Sequence, residues 1–155
     1  ICETVYSTQT HEEQNLAIFH LLKDVLVALN ASERNEQTLI AWFQAHYAAF
    51  LGFRIAPDFC AASGEAVSPA DAPHFLLSLA DGAPYSPAFA QVNTGFRMDA
   101  GTLAILQRLM HISPEQALLM VLSERQQTQL SDFLAMYYQF HLDRTVSDRS
   151  RRFMQ

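Results

Sequence analysis

Two long amphipathic stretches near the start of the sequence restrict the fold more than any other feature. From Glu12 to Leu29, the residues Leu16, Phe19, Leu22, Val25, Leu26 and Leu29 recur at three- and four-residue spacing. That is the period of one buried helical face. Thr10 is placed to cap this helix, with Glu13 as the other half of a capping box, and Asn30-Ala31-Ser32 breaks it. A second helix is expected from Asn35 to Leu51. Leu39, Trp42, Phe43, His46 and Phe50 share one face, which Ile40, Tyr47 and Leu51 widen. Gly52 is well placed to end it, because glycine enters the left-handed conformation cheaply. Two such helices with a short link predict an antiparallel helical hairpin.

The middle of the chain is different. Ile55 to Ser68 reads as loop, and so does Pro87 to Gly95. Between them, His74 to Leu79 and Pro84 to Ser86 flank an Asp81-Gly82 turn signal, which predicts a small two-stranded ribbon. Pro84 keeps the second strand short or at an edge. Helices then resume. Asp99 can cap one that runs to about His111, with Leu103, Leu106, Leu109 and Met110 inward. Ser113-Pro114-Glu115 starts another. Ser123 with Gln126 makes a capping box for the last helix, expected from Glu124 to Leu142, with Leu130, Phe133, Leu134, Tyr137 and His141 on one side. The fold class is therefore mainly α: a helical bundle with a small central β-hairpin. The helical domain spans residues 1–142 and a basic tail spans residues 143–155.

With 155 residues, half of them apolar and 11 of them Phe, the chain can build the core of one ordinary domain. Its 16 acids against 10 bases give a net charge of -6. That argues against whole-surface nucleic-acid binding, which needs a positive footprint. Two cysteines, Cys2 and Cys60, are too few for a disulfide framework and read as free thiols in a reducing compartment. No stretch approaches the ~20 apolar residues of a membrane span, and no signal-peptide pattern is present. The expected location is cytoplasmic. Ile1 to Tyr6 reads like the interior of a helix that began earlier, so an upstream domain is expected.

Catalytic chemistry finds little support. The six histidines form no His-Glu-x-x-His motif, and no Cys-x-x-Cys exists; no metal and no cofactor is expected. His46 and His141 lie on apolar helical faces and read as core-edge residues whose rings pack. A Gly-x-Ser-x-Gly elbow is missing, and the five glycines are scattered. The chain is not expected to be an enzyme; the enzymatic alternative would be a Cys60–His pair, for which a depressed thiol pKa would speak. The Tyr137-Tyr138-Gln139-Phe140-His141 run could stack bases, but on a helix most of it is core. The uneven feature is the C-terminus, which holds Arg144, Arg149, Arg151 and Arg152, four of the ten bases. Such a cluster suits bidentate contact with carboxylate or phosphate. It can equally be a solvated tail that balances an acidic body.

Several segments, in order, resemble a known family. They are Glu-Glu-Gln-Asn before Leu-Ala-Ile-Phe-His-Leu-Leu (12–22), Phe-Leu-Gly-Phe (50–53), Pro-Asp-Phe-Cys-Ala-Ala-Ser-Gly (57–64), Tyr-Tyr-Gln-Phe-His-Leu-Asp-Arg (137–144) and Ser-Arg-Arg-Phe (150–153). Their order is similar to the C-terminal helical domain of the RecO family of recombination mediators. The resemblance implies an upstream OB-fold carrying most single-stranded DNA binding, annealing and recombinase loading with a RecR-like partner, and docking of the acidic, Phe-ended tail of the single-strand binding protein. Arg144, Arg149, Arg151 and Arg152 are the residues expected to meet that tail. Many members hold zinc with four cysteines. Here Cys60 matches the first, Ser63 stands at the second and the later pair is missing, so the zinc does not carry over and the zinc-free branch is the closer likeness. The alternative is a purely architectural helical domain with no ligand.

Overall fold

The computed structural model describes Val5, residues 16–30 and residues 35–152, with residues 143–152 described by backbone alone. Its elements are α1 (Leu16–Asn30), α2 (Glu36–Phe50), a 3-10 turn (Pro69–Asp71), β1 (His74–Leu77), β2 (Pro84–Tyr85), β3 (Phe96–Asp99), α3 (Ala100–Leu109), α4 (Pro114–Leu118) and α5 (Glu124–Arg152). No helix among the described residues is long and apolar enough to cross a membrane. The expected Thr10–Glu13 box, the 12–15 start of the first helix and the Ala31-Ser32 break lie outside the described residues.

Helix α2 is the centre of the bundle, flanked by α1, α4 and α5. Leu39, Phe43, Ala45, Tyr47 and Ala48 are wholly enclosed. Side-chain donors then tie it to distant backbone. Trp42 Nε1 donates to Ile112 O at 2.8 Å, Asn35 Nδ2 to Leu118 O at 2.7 Å, and Tyr138 Oη of α5 donates to Gln44 O at 2.8 Å. The first two bonds satisfy carbonyls that the 112–120 turns would otherwise leave to water, and the third adds a second donor to a carbonyl inside α2. Gly52, at φ +89°, ends the segment as expected. The last two helices start where expected: one at Ser113-Pro114, where the structure adds a capping box between Ser113 and Gln116, and the other at the expected box of Ser123 with Gln126.

Three expectations need correction. The first concerns α1. Its core-facing residues are Ile18, Val25 and Ala28, with Leu21, Leu22 and Leu29 half-buried, while Leu16, Phe19 and Leu26 face outward. Both faces of α1 are apolar, so period alone does not choose between them. The second concerns the sheet, which has three antiparallel strands in the order β2-β1-β3. The Asp81-Gly82 turn joins β1 to β2 as expected, and β3 adds to the other edge with His74 opposite Asp99 and Leu76 opposite Arg97. Phe96–Asp99 is too short for alternation to register. Third, α5 does not stop at Leu142 but continues to Arg152. Residues 143–152 contain neither Gly nor Pro, so their polarity gives the helix no reason to end.

The sheet packs Phe75, Leu77 and Met98 against α3 and α5, whose Leu103, Leu106, Leu130, Phe133 and Tyr137 complete the core. Tyr137 Oη donates to Phe53 O at 3.1 Å, and Phe53 stacks on His141 with ring centres 4.5 Å apart. His46 lies on Trp42 at 4.1 Å, with Nδ1 2.9 Å from Trp42 O. Both histidines are therefore packed rings at the edge of the core.

Candidate functional site

The outer face of the sheet is where polar chemistry converges. Residues paired across strands share a face, so the register sets Tyr85, Leu76 and Arg97 in one row and His74 and Asp99 in the next. The turn after β2 folds over this face, and a cavity of about 200 Å³ opens between them, lined by His74, Phe75, Leu76, Ala90 and Arg97. Arg97 is exposed and forms no ion pair among the described residues. Beside it, Asp99 is held by His74 (Nδ1–Oδ1 2.9 Å) and by Arg125 from the first turn of α5.

Asp99 stands at the start of α3, as expected of a cap, but its carboxylate does not cap the helix. Desolvation pushes its pKa up, and the hydrogen bonds from His74, Gln129 and Arg125 outweigh this and hold it below the usual value. Gln129 Oε1 ties α5 to this helix start, accepting from Asp99 N at 3.2 Å and from Thr102 Oγ1 at 2.8 Å. Asp99 thus occupies His74 and Arg125, while Arg97, without an ion pair among the described residues, lines a cavity of mixed polar and apolar character.

The expected site is elsewhere. Arg144, Arg149, Arg151 and Arg152 lie on the final turns of α5, and their side chains lie outside the described residues. Arg125 sits in the first turn of the same helix. At about 1.5 Å per residue, roughly 40 Å of helix separates Arg125 from Arg152. The helix end and the sheet face are two separate surfaces, and the sequence reading missed Arg97 altogether. The available signal was a cation in apolar company at strand spacing: Phe96, Arg97, Met98.

Cys60 occupies a tight hairpin. Its amide donates to Glu65 O at 2.7 Å, Gly64 N donates back to Cys60 O at 2.8 Å, and Phe59 bridges to Ala66. Burial pushes the thiol up, but the amides of Ser86, Ser63 and Ala62 and the Ser63 hydroxyl are aimed at the sulfur and bring its pKa down to about 6. This is the depressed thiol that the enzymatic alternative requires, yet no imidazole is among the groups that depress it. Among the described residues no three His, Cys, Asp or Glu side chains are grouped as metal ligands.

A second groove, of about 230 Å³, runs between α2 and the start of α5, lined by Gln37, Ile40, Gln44, Leu122, Gln127 and Ser131 among others. It carries amides and no charge.

Comparison with known proteins decides the family. The family model described as Recombination protein O C terminal matches residues 1–151. The chain belongs to the RecO family. Relatives named DNA repair protein RecO are 28% identical over 156 residues in Chloroherpeton thalassium and 32% identical over 146 residues in Chlorobium limicola. The matches cover 96% and 90% of this chain, but only 60% and 56% of those proteins. The chain therefore spans less than two thirds of the length of these RecO relatives. No solved structure matches it significantly.

Proposed function

We propose that this chain is the partner-binding helical domain of a recombination mediator in DNA repair, and that it receives an acidic peptide ending in Phe, the kind of tail carried by single-strand binding proteins. One observation carries the reading: Arg97, exposed and without an ion pair among the described residues, lines the cavity on the sheet beside Phe75, Leu76 and Ala90. An aromatic terminus would enter the cavity and its carboxylate would meet the Arg97 guanidinium, the cation on this face that Asp99 does not engage. Family membership supports the repair role. Contact with a RecR-like partner and support for recombinase loading and strand annealing belong to the same reading. Single-stranded DNA would be bound mainly outside this chain, since the body is acidic. The chain itself acts by docking, without catalysis and without a cofactor, in the cytoplasm.

The test is a fluorescence titration of the chain with a labelled acidic, Phe-ended peptide at low and high salt. Binding on the order of micromolar that weakens with salt is expected. Arg97→Ala should weaken it at least about tenfold, since a charge-assisted bond is lost. Replacing Arg144, Arg149, Arg151 and Arg152 together by Ala should change it far less. The reverse pattern would move the site to the end of α5. No binding at either salt would leave an architectural domain.

A further inference from the structure

On the far side of the bundle from its packed face, α1 presents a second apolar surface. Leu16 is 69% exposed, Phe19 59%, Leu26 45% and Val27 58%. Phe19, Leu22, Lys23, Leu26, Val27 and Asn30 line an open cavity of about 480 Å³. The outward residues Leu16, Phe19, Lys23, Leu26 and Asn30 follow one another at alternating spacings of three and four. That is a coiled-coil seam two heptads long, with polar residues at two of its positions. A globular helix needs one apolar stripe, and α1 already uses its own on Ile18, Val25 and Ala28. Among the described residues no helix covers the second stripe, which gains from burial only when one does.

Lys23 decides which helix. It is the only lysine in the chain and occupies the middle of the seam; Asp24 is its neighbour in sequence but lies off the seam. Two copies of α1 paired parallel in register would set Lys23 against Lys23. Pairing them antiparallel about the seam's centre does the same. Like charges desolvated against each other disfavour both arrangements, and the net charge of -6 adds repulsion between whole chains. An acidic side chain at the facing position turns the same lysine into an attraction and fixes the register. We propose that the outer face of α1 docks an amphipathic helix of a partner protein, with apolar residues at heptad spacing and an Asp or Glu opposite Lys23. This surface is distinct from the sheet-face cavity, and the proposal stands whether or not that cavity binds a peptide.

The probes are two helix-stabilised, two-heptad peptides with leucine seams, identical except for Glu or Lys at the centre. They are titrated against the full chain by fluorescence anisotropy. The Glu peptide is expected to bind about fivefold or more tightly than the Lys peptide, from exchanging one repulsive pair for one attractive pair. Lys23→Glu should reverse the preference. Phe19→Asp should abolish binding of both while leaving the circular dichroism spectrum unchanged. Absence of binding by either peptide overturns the proposal, and so does a preference that Lys23→Glu leaves unaltered. Sedimentation gives the third decisive outcome: a wild-type dimer that Phe19→Asp dissolves would make this face a contact between two copies instead.

Discussion

Helices α1 and α2 have the same length, fifteen residues, and both are rich in apolar side chains, yet they stand in opposite relations to the core. Helix α2 is enclosed on most of its circumference, with eight buried residues; α1 buries three and shows a second apolar stripe to solvent. The difference comes from neighbours. Helices α1, α4 and α5 all pack on α2, whereas among the described residues α1 touches the bundle along one side. Apolar content therefore measures how much a helix can bury, and the number of elements around it sets how much it does bury. The largest test of this contrast is Phe43→Ala in α2. Its ring is wholly enclosed, and its loss leaves a cavity, so the chain should lose about 3–5 kcal/mol in urea denaturation. A loss below about 1 kcal/mol would mean that α2 is not the centre of the core.

The sheet provides the next test, through backbone instead of side chains. A Cβ at Gly95 would collide with the carbonyl oxygen of Leu77, directly where β3 joins β1. At Gly82 the backbone takes φ +62°, and a Cβ would stand 2.6 Å from Tyr137 Oη. Neither obstacle at Gly95 is a flexible side-chain tip, so β3 itself must move. Gly95→Ala should cost about 1–3 kcal/mol by thermal unfolding. It should also weaken the acidic peptide, because Arg97 is carried on the displaced strand. An unchanged Tm would show that β3 is not held where Arg97 needs it.

These same elements separate what was legible in the sequence from what was not. The helix start at Ser113-Pro114, the box at Ser123–Gln126, the stop at Gly52 and the Asp81-Gly82 hairpin were legible, because each is fixed by residues within a few positions of one another. The inward face of α5 was legible too, since only one of its faces is apolar. The side of α1 that meets the core was not, because that choice depends on Ile18 and Ala28 fitting against α2. Strand β3 was missed because pairing with β1 across twenty residues of chain, rather than its own pattern, makes it a strand. Arg97 was missed with it. The four terminal arginines stand out by number in the sequence, whereas the candidate site on the sheet face rests on one cation whose neighbouring carboxylate is already taken by His74 and Arg125.

A smaller effect, on pH dependence, also reports on α2. Burial lowers the His46 pKa below 6.5, more strongly than its bonds to the carbonyls of Trp42 and Met110 raise it. The unfolded chain then binds more protons than the folded one in the window just below 6.5. This contribution is full above that value and is lost as the pH falls through the lower, folded value. Urea unfolding at pH 8 and at pH 5.5 should show the loss, and His46→Gln should flatten that part of the profile. An equal pH dependence in the variant would mean that the ring on Trp42 is as well solvated as in the unfolded chain. Asp99 contributes with the same sign but at lower pH, since its depressed carboxyl begins to protonate only below the usual carboxylate range.

The smallest expected effect on stability is on α1, and its smallness is the informative part. Phe19 is as large and as apolar as Phe43 and differs mainly in being 59% exposed, with its nearest ring partner the adjacent His20 at 5.8 Å. Phe19→Ser removes little that the fold has gained from burial, so unfolding should shift by no more than about 0.5 kcal/mol. Paired with Phe43→Ala, this isolates position from chemistry, because both substitutions delete the same ring from helices of equal length. A loss near that of Phe43→Ala would mean that the outward stripe of α1 is already covered within the chain, and the docking proposal would fall with it. A small loss leaves an aromatic surface that contributes almost nothing to folding and is free to contribute to recognition.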